Sequence, residues 1–488
     1  MWGGDADSII FSSELIHALE TRRSKIESFV QVERIQQMTE SHFINFKKVT
    51  QVDGTQLCTF TLQNTSVTYA NTIRRLVLTG VESVAFRSNM NSMGTSTDVS
   101  ILKNSTSMTN EMLADRIGLL PIRWNSEKFG APSDYMFHLH VKNTSSSTLD
   151  VTSSDITAVH KIGKDGEEKT IPKDDMTFFE KDILLAVLKP MRANHEPQEI
   201  AFTAKASIGI GKEHARFIPV SQCSYRYTRD TNPQKQQELM IKWAKSMNKI
   251  TAEQAEKFAD VPKEKQDLLR KEYETMEIDR CYLVDEKTGE ANSFDFTVET
   301  LNTVDAVQII AEALKKAREL CERYTNLTQQ MPMNMKPPTS APNRLEGFDY
   351  TFTVPDRHVD SNTSAEKVLS EHIIDLLSCD HTLGNLLQTY IDEKLFGQNN
   401  LTYVGYNVPH PLREEMVLRL GIDGGVENDG RKTIQDAASG CSSMFTQWLD
   451  EWQKMTGTRV EKVAAAAAEV KAKATARATA KAQTKLKA

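Results

Sequence analysis

The sequence predicts an α+β fold made of two like modules that close on one another, the first interrupted by an inserted mixed α/β domain. Three observations carry this. In two separate places the hydrophobic period switches from two to near 3.6 and back. The helical segments of those two places share a residue pattern, and a proline-bearing stretch at 329–347 lies between them.

Residues 1–43 hold a weak helical pattern (Leu15, Ala18, Leu19, Ile26, Phe29, Val30) and read as an extension. Cys58, Phe60 and Leu62 then alternate with Thr59, Thr61 and Gln63, as a half-buried strand does. Thr65 or Ser66 is placed to cap a helix in which Val67, Ala70, Ile73, Leu76 and Val77 share one side, and 81–86 is extended. Residues 87–212 turn rich in Ser, Thr and Asn with short strand runs at 135–141 and 200–206, the pattern of an inserted domain. The strand signal returns at 217–227, is interrupted by a charged helical excursion at 233–277, and ends in a strand at 294–298 and a helix over 303–324. Segments 44–86 and 213–328 therefore form the first module.

Pro337, Pro338 and Pro342 sit among small polar residues in 329–347, so this segment is expected to be a linker with no regular element. The second module spans 348–456, with a strand at 373–377. Leu383, Leu386, Leu387, Tyr390 and Ile391 follow at i, i+3, i+4, i+7 and i+8, a helix that Asp380 or Thr382 can cap. Strands are expected at 401–408 and 416–420, then a last helix with Met444, Phe445, Trp448 and Trp452 on one side. The tail, 457–488, is Ala-rich and carries Lys471, Lys473, Arg477, Lys481, Lys485 and Lys487. Those cations suit nucleic acid or an acidic partner, but a solvated, partly helical terminus is the favoured reading.

The chain has 488 residues, 39% hydrophobic and 26% charged, enough for two or three ordinary cores. A net charge of −7 argues against a surface that coats nucleic acid, which needs clustered Lys and Arg. No stretch approaches the roughly 20 apolar residues of a membrane span, and the N-terminus lacks a signal-peptide pattern, so an intracellular protein without membrane contact is expected. Cys58, Cys223, Cys281, Cys321, Cys379 and Cys441 lie far apart with no CxxC pair, and read as reduced, buried thiols.

The internal repeat is the main clue. SVTYANTIRRLVL from Ser66 and DHTLGNLLQTYID from Asp380 each open a helix; a small residue (Ala70, Gly384) precedes an Asn (Asn71, Asn385), and apolar positions follow at the spacing of a buried face. Each copy leaves an apolar helical face uncovered, and a like copy is the simplest cover. Burying Ile73, Val77, Leu383, Leu386, Leu387 and Tyr390 in a shared contact contributes about 1.5–3 kcal/mol each before entropy.

At these residues the sequence resembles a known family: the third and eleventh subunits of eukaryotic RNA polymerase II, their archaeal counterparts and the bacterial alpha dimer. NTSVTYANTIRRLVLTGVESVAF resembles the first dimerisation helix of the larger subunit and its flanking strand. EMLADRIGLLPI from Glu111 is similar to the signature of that subunit's inserted domain, and GIGKEHARFIPV from Gly209 to its return. FDFTVETLNTVDAVQIIAEAL is similar to its closing strand and helix, while DHTLGNLLQTYI and YVGYNVPHPLREEMVLRL resemble the smaller subunit. The resemblance implies two alpha-subunit-like dimerisation modules forming an intramolecular pseudo-heterodimer. It implies a non-catalytic platform that docks the two largest polymerase subunits and a small subunit of the same complex, with no cofactor, and with nucleic acid met only indirectly or through the tail. The fused arrangement resembles that of large DNA viruses, which would place the protein in the virion or at a cytoplasmic or nuclear transcription site.

Some larger subunits carry a cysteine cluster for a metal in the inserted domain. Residues 87–210 contain no cysteine, and the scattered His138, His140, His160 and His195 lack thiolate company, so no metal is expected there.

By resemblance, Asn71, Arg74, Arg75, Arg116, Lys212, Glu213 and His214 would contact partner subunits; solvated charge is the bland reading of Arg74 and Arg75. GIGKEH is not a phosphate loop, since Glu213 stands where a hydroxyl is needed. Asp423, Glu427 and Asp429 read as a solvated acidic turn without the spacing of a calcium loop. The competing functions are a free-standing transcription regulator that binds DNA through the basic tail, and an enzyme housed in the inserted domain. The second lacks any grouping of nucleophile, base and orienting residue.

Overall fold

The alternating run at Cys58 sits in the first sheet. The computed structural model describes residues 41–457 apart from 52–53, 89–97, 125–128, 163–166, 173–176, 181, 193–194, 302, 328–330, 341–346, 356–364, 399 and 424–426. The helical pattern of Leu15 to Val30 and the basic tail lie outside the described residues. Strands β1 (Phe43–Thr50) and β2 (Gln56–Gln63) pair antiparallel, and Cys58, Phe60 and Leu62 turn into the core. Helix α1 (Val67–Thr79) buries Ala70, Ile73, Leu76 and Val77 as one stripe, and β3 (Glu82–Ala85) follows.

The chain then leaves the first module. Strand β4 (Val99–Asn104) is followed by helix α2 (Asn110–Gly118), whose start is capped by Thr109 accepting the Met112 N–H. Next come β5 (Tyr135–Lys142), β6 (Leu149–Thr152), β7 (Thr157–Ile162), β8 (Glu167–Thr170), β9 (Leu184–Leu188) and β10 (Glu199–Lys205). Five of these strands form a sheet in the order β4-β10-β5-β7-β8, while β6 and β9 make a separate ribbon. Phe86, Leu113, Ile117, Phe137, Phe178 and Phe202 build a core of their own. Return is by β11 (Ser207–Ile210), which pairs with β3 so that entry and exit lie side by side; an insertion there leaves the first module's sheet undisturbed.

Strand β12 (Val220–Tyr227) rejoins the first sheet, and the excursion folds as helices α3 (Pro233–Ser246), α4 (Ala252–Glu256) and α5 (Lys263–Met276) around Met240, Trp243, Phe258 and Tyr273. Strand β13 (Ser293–Thr300) slots between β2 and β12, giving the order β1-β2-β13-β12. Helix α6 (Ala306–Glu322) starts at Asp305, which accepts the Val307 N–H.

The second module begins with β14 (Met335–Ser340) and β15 (Gly347–Thr353), then α7 (Ala365–Ser378) and α8 (His381–Tyr390), the latter running into a π-helical turn at Ile391–Leu395. Strands β16 (Leu401–Asn407) and β17 (Glu415–Ile422) complete an antiparallel sheet in the order β14-β15-β17-β16, and α9 (Glu427–Thr456) closes the module. One apolar core runs without a break from Phe60, through Ile73 and Leu314, to Leu386, Leu418 and Trp452, so both modules share it.

Three expectations are corrected here. The predicted strand at 373–377 is part of α7: Leu369, Ile373, Leu376 and Leu377 also fall at helical spacing, and a short apolar run fits either period. The predicted linker at 329–347 contains β14, with Pro337 and Pro338 at a register shift between Lys336 and Thr339 on an edge strand, where missing N–H groups break no ladder. Glu427 and Asp429, expected in a turn, form the first turn of α9, where carboxylates favour the helix dipole.

Candidate functional site

The face that each module's helices leave open is covered by the other module. Helix α1 crosses α8, and α6 lies along α9. Ile73 and Val77 meet Leu383, Leu386 and Leu387 in the shared core, all within 1% of full burial, with Tyr390 half-buried beside them. Within the second module, a Cβ on Gly384 of α8 would overlap the Tyr406 ring of β16, and one on Gly440 of α9 would overlap the Tyr390 hydroxyl of α8, so glycine at these two positions lets α8 pack closely on its own sheet and on α9.

Polar groups at this boundary are paired across it. The Arg75 Nε donates to Thr382 Oγ1 at 2.8 Å, and its Nη2 to Asp380 Oδ2 at 2.8 Å. Lys212 Nζ donates to the same Asp380 oxygen at 2.9 Å, while Asp380 Oδ1 accepts the His381 N–H at 2.6 Å at the start of α8. Burial pushes the Asp380 carboxyl up, but the Lys212 hydrogen bond and charge, the Arg75 charge and the His381 N–H outweigh it and hold it below the usual carboxylate value. Lys212 reaches this spot because Gly211 lies against the Leu78 carbonyl, closer than a Cβ would permit, and the Lys212 N–H donates to Thr79 O at 3.1 Å. On the other side of the crossing, Thr389 Oγ1 and Asn385 Nδ2 donate to Thr68 Oγ1 at 3.1 and 3.3 Å.

Three further links join the modules. Trp452 Nε1 of α9 donates to the Val307 carbonyl in the first turn of α6, at 3.0 Å and fully buried. Arg323, just past α6, pairs at 2.6 Å with Asp375 of α7, a carboxylate without solvent exposure. Tyr69 of α1 donates to Glu393 of the π-helical turn at 3.1 Å. Single π turns are rare and commonly sit at functional positions.

The residues singled out in the sequence fall into two groups. Arg75 and Lys212, expected to reach a partner subunit, are turned onto Asp380 inside this chain. Asn71 Oδ1 accepts Arg74 Nε at 3.0 Å, and the two share the half-exposed side of α1. Glu213 takes Arg87 at 3.0 Å on both oxygens, and His214 Nδ1 accepts the Arg216 backbone N–H at 3.2 Å; both brace the stalk of the insert. Arg116 lies on the exposed side of α2 and donates to the Leu184 carbonyl at 3.0 and 3.2 Å. Sequence reasoning missed Asp375, Arg323, Thr68, Thr382 and Thr389 as contacts between the modules, and gave Asp380 only a capping role. A usable signal existed in Asp375, a charge inside the apolar run IIDLL.

Among the described residues, no three His, Cys, Asp or Glu side chains are grouped to hold a metal ion, and no helix is long and apolar enough to cross a membrane. All six cysteines are free and buried.

Two family models, each described as the RNA polymerase Rpb3/Rpb11 dimerisation domain, match the chain at residues 59–321 and 371–451; the first match alone covers more than half of the sequence. The "DNA-directed RNA polymerases I and III subunit RPAC1" of Saccharomyces cerevisiae is 30% identical over 37% of this chain and 58% of its own length. The "DNA-directed RNA polymerase subunit Rpo3" of Methanosphaera stadtmanae is 27% identical over 34% of this chain and 56% of its own length. The "DNA-directed RNA polymerases II, IV and V subunit 3" of Arabidopsis thaliana is 28% identical over 35% of this chain and 53% of its own length. The chain thus spans about half the length of these curated relatives.

Proposed function

Because the chain belongs to the RNA polymerase Rpb3/Rpb11 dimerisation-domain family, we propose that it is a non-catalytic assembly subunit of a DNA-dependent RNA polymerase. In this reading two dimerisation domains are fused end to end, as in large DNA viruses with their own transcription machinery. The platform they form docks the two largest catalytic subunits and a small subunit of the same complex. The single observation that supports it most is the shared core, in which each domain's open helical face is covered by the other. A pair closed in this way presents its outer surfaces, Arg74 and Asn71 on α1 and Arg116 on the insert, for contact with larger chains.

An affinity-tagged full-length chain isolated from cells that express its source's transcription machinery tests this. Mass spectrometry of the eluate should find the two largest polymerase subunits in stable proportion. The purified chain alone, given template and nucleotides, should transfer no nucleotide. Elution without any large polymerase subunit, or nucleotide transfer by the isolated chain, would refute the proposal.

A further inference from the structure

The two repeated helices give the crossing a pseudo-two-fold pattern whose charge is broken at two matched pairs of positions. Aligning SVTYANTIRRLVL with DHTLGNLLQTYID matches Ser66 with Asp380, Thr68 with Thr382, and Arg75 with Thr389. The contacts obey that exchange. Arg75 donates to Thr382 at 2.8 Å, and its counterpart Thr389 donates to the counterpart threonine, Thr68, at 3.1 Å. The symmetry fails in charge. On one side Arg75 and Lys212 hold the carboxylate of Asp380; on the other, the equivalent place is Ser66, whose Oγ is buried without a hydrogen-bond partner among the described residues.

We infer that the Arg75, Lys212 and Asp380 cluster is a pairing-specificity device, which makes each domain accept the unlike domain and refuse a second copy of itself. In a pair of two first domains, each Arg75 would face Ser66 and Thr68 of the other copy and find no acid. In a pair of two second domains, each Asp380 would face Thr389 with neither Arg75 nor Lys212 at hand. A pair of second domains strands Asp380, which keeps 8% exposure, and a pair of first domains leaves the half-buried Arg75 and Lys212, 28% and 29% exposed, without their acid. Only the unlike pairing satisfies every charge. Apolar helix faces alone do not discriminate like from unlike, and a fused chain needs that discrimination to avoid intermolecular pairing of equal domains. The inference concerns how the chain pairs with itself and does not depend on docking to any polymerase subunit.

The test uses two full-length variants, Arg75→Glu and Asp380→Lys, with native mass spectrometry and light scattering as readouts. Each variant alone places like charges at the crossing, and should lose the monomer that the unaltered chain forms. Mixed and refolded together, they should give a dimer of twice the chain mass containing one copy of each. In that exchange the glutamate introduced into one chain meets the lysine introduced into the other, while the unaltered Arg75 and Asp380 meet in the second crossing. The doubly substituted chain, R75E/D380K, should return to a monomer, which controls for failure of either single variant to fold. Single variants that stay monomeric and show no mixed dimer, or a doubly substituted chain that remains unfolded, would each overturn the inference.

Discussion

Arg323 and Asp375 meet at 2.6 Å across the boundary between the two domains, with the carboxylate wholly excluded from water. Each comes from the end of a helix whose apolar side enters the shared core, so the pair is fixed by packing as well as by charge. A buried ion pair adds little over an apolar pair of like volume, but removing one partner leaves the other stranded.

Replacing Asp375 by Ala should therefore lower the unfolding free energy by about 3–5 kcal/mol. The double change of Arg323 to Met and Asp375 to Leu should restore most of that loss. Urea unfolding followed by far-ultraviolet circular dichroism measures both; equal loss in the single and double variants would show that the charge pair is not what Asp375 contributes.

The apolar crossing makes a separate prediction. Truncating the fully buried Leu386 to Ala removes contacts from both domains at once and should cost about 2–5 kcal/mol. Replacing Leu386 and Leu387 together by Asp should part the domains, because two carboxylates have no partner there. Trp448 and Trp452 are within 1% of full burial at the other helix contact, and their fluorescence should shift to the red if the halves separate. An unshifted emission in the double Asp variant would contradict the closure.

Asp380 predicts an acid limb of stability. Its folded pKa lies below the ordinary carboxylate value of 3.8 because Lys212, Arg75 and the His381 N–H together outweigh burial. The ionised form is thus favoured by folding, so this contribution is fully present above the unfolded pKa and is lost as pH falls from there through the depressed folded value. Asp380→Asn should flatten stability against pH below about 4, a window set by the pKa of an Asp in an unfolded chain. Thermal unfolding between about pH 2.5 and 6 spans that window and compares the two chains, and parallel acid limbs would assign the effect to other groups.

Most of the architecture is legible in the sequence because both domains obey strong periodicities: Cys58, Phe60 and Leu62 alternate, while Leu383, Leu386, Leu387 and Tyr390 repeat at helical spacing. The segment at 373–377 misleads because its five residues, all apolar but Asp375, fit a strand or a buried helix equally, and the deciding neighbours lie further back at Leu369. Pro337 and Pro338 point away from a strand by a rule that holds in a sheet interior and lapses at an edge with a register shift. Within the site, the apolar residues are readable from their period. The Arg75 and Lys212 contacts to Asp380 are not, since they join positions far apart in the chain and depend on which face α1 turns to α8.

The cysteines allow the closure to be followed in solution. Burial pushes the thiols of Cys58, Cys223 and Cys379 up to about 12, and Cys441 is held high first by its hydrogen bond with Cys321 and then by burial. Thiolates, not thiols, react with disulfide reagents, so native protein at neutral pH should release almost no chromophore from a thiol-reactive aromatic disulfide. Unfolding in guanidinium should then expose all six. Cys321 belongs to α6 and Cys441 to α9, so this pair is shielded by contact between the domains themselves. In the variant with Asp at Leu386 and Leu387, peptide mapping should find Cys321 and Cys441 labelled well ahead of Cys58, which lies within the first sheet. Uniform labelling of the three would mean that the domains unfold together and do not merely part.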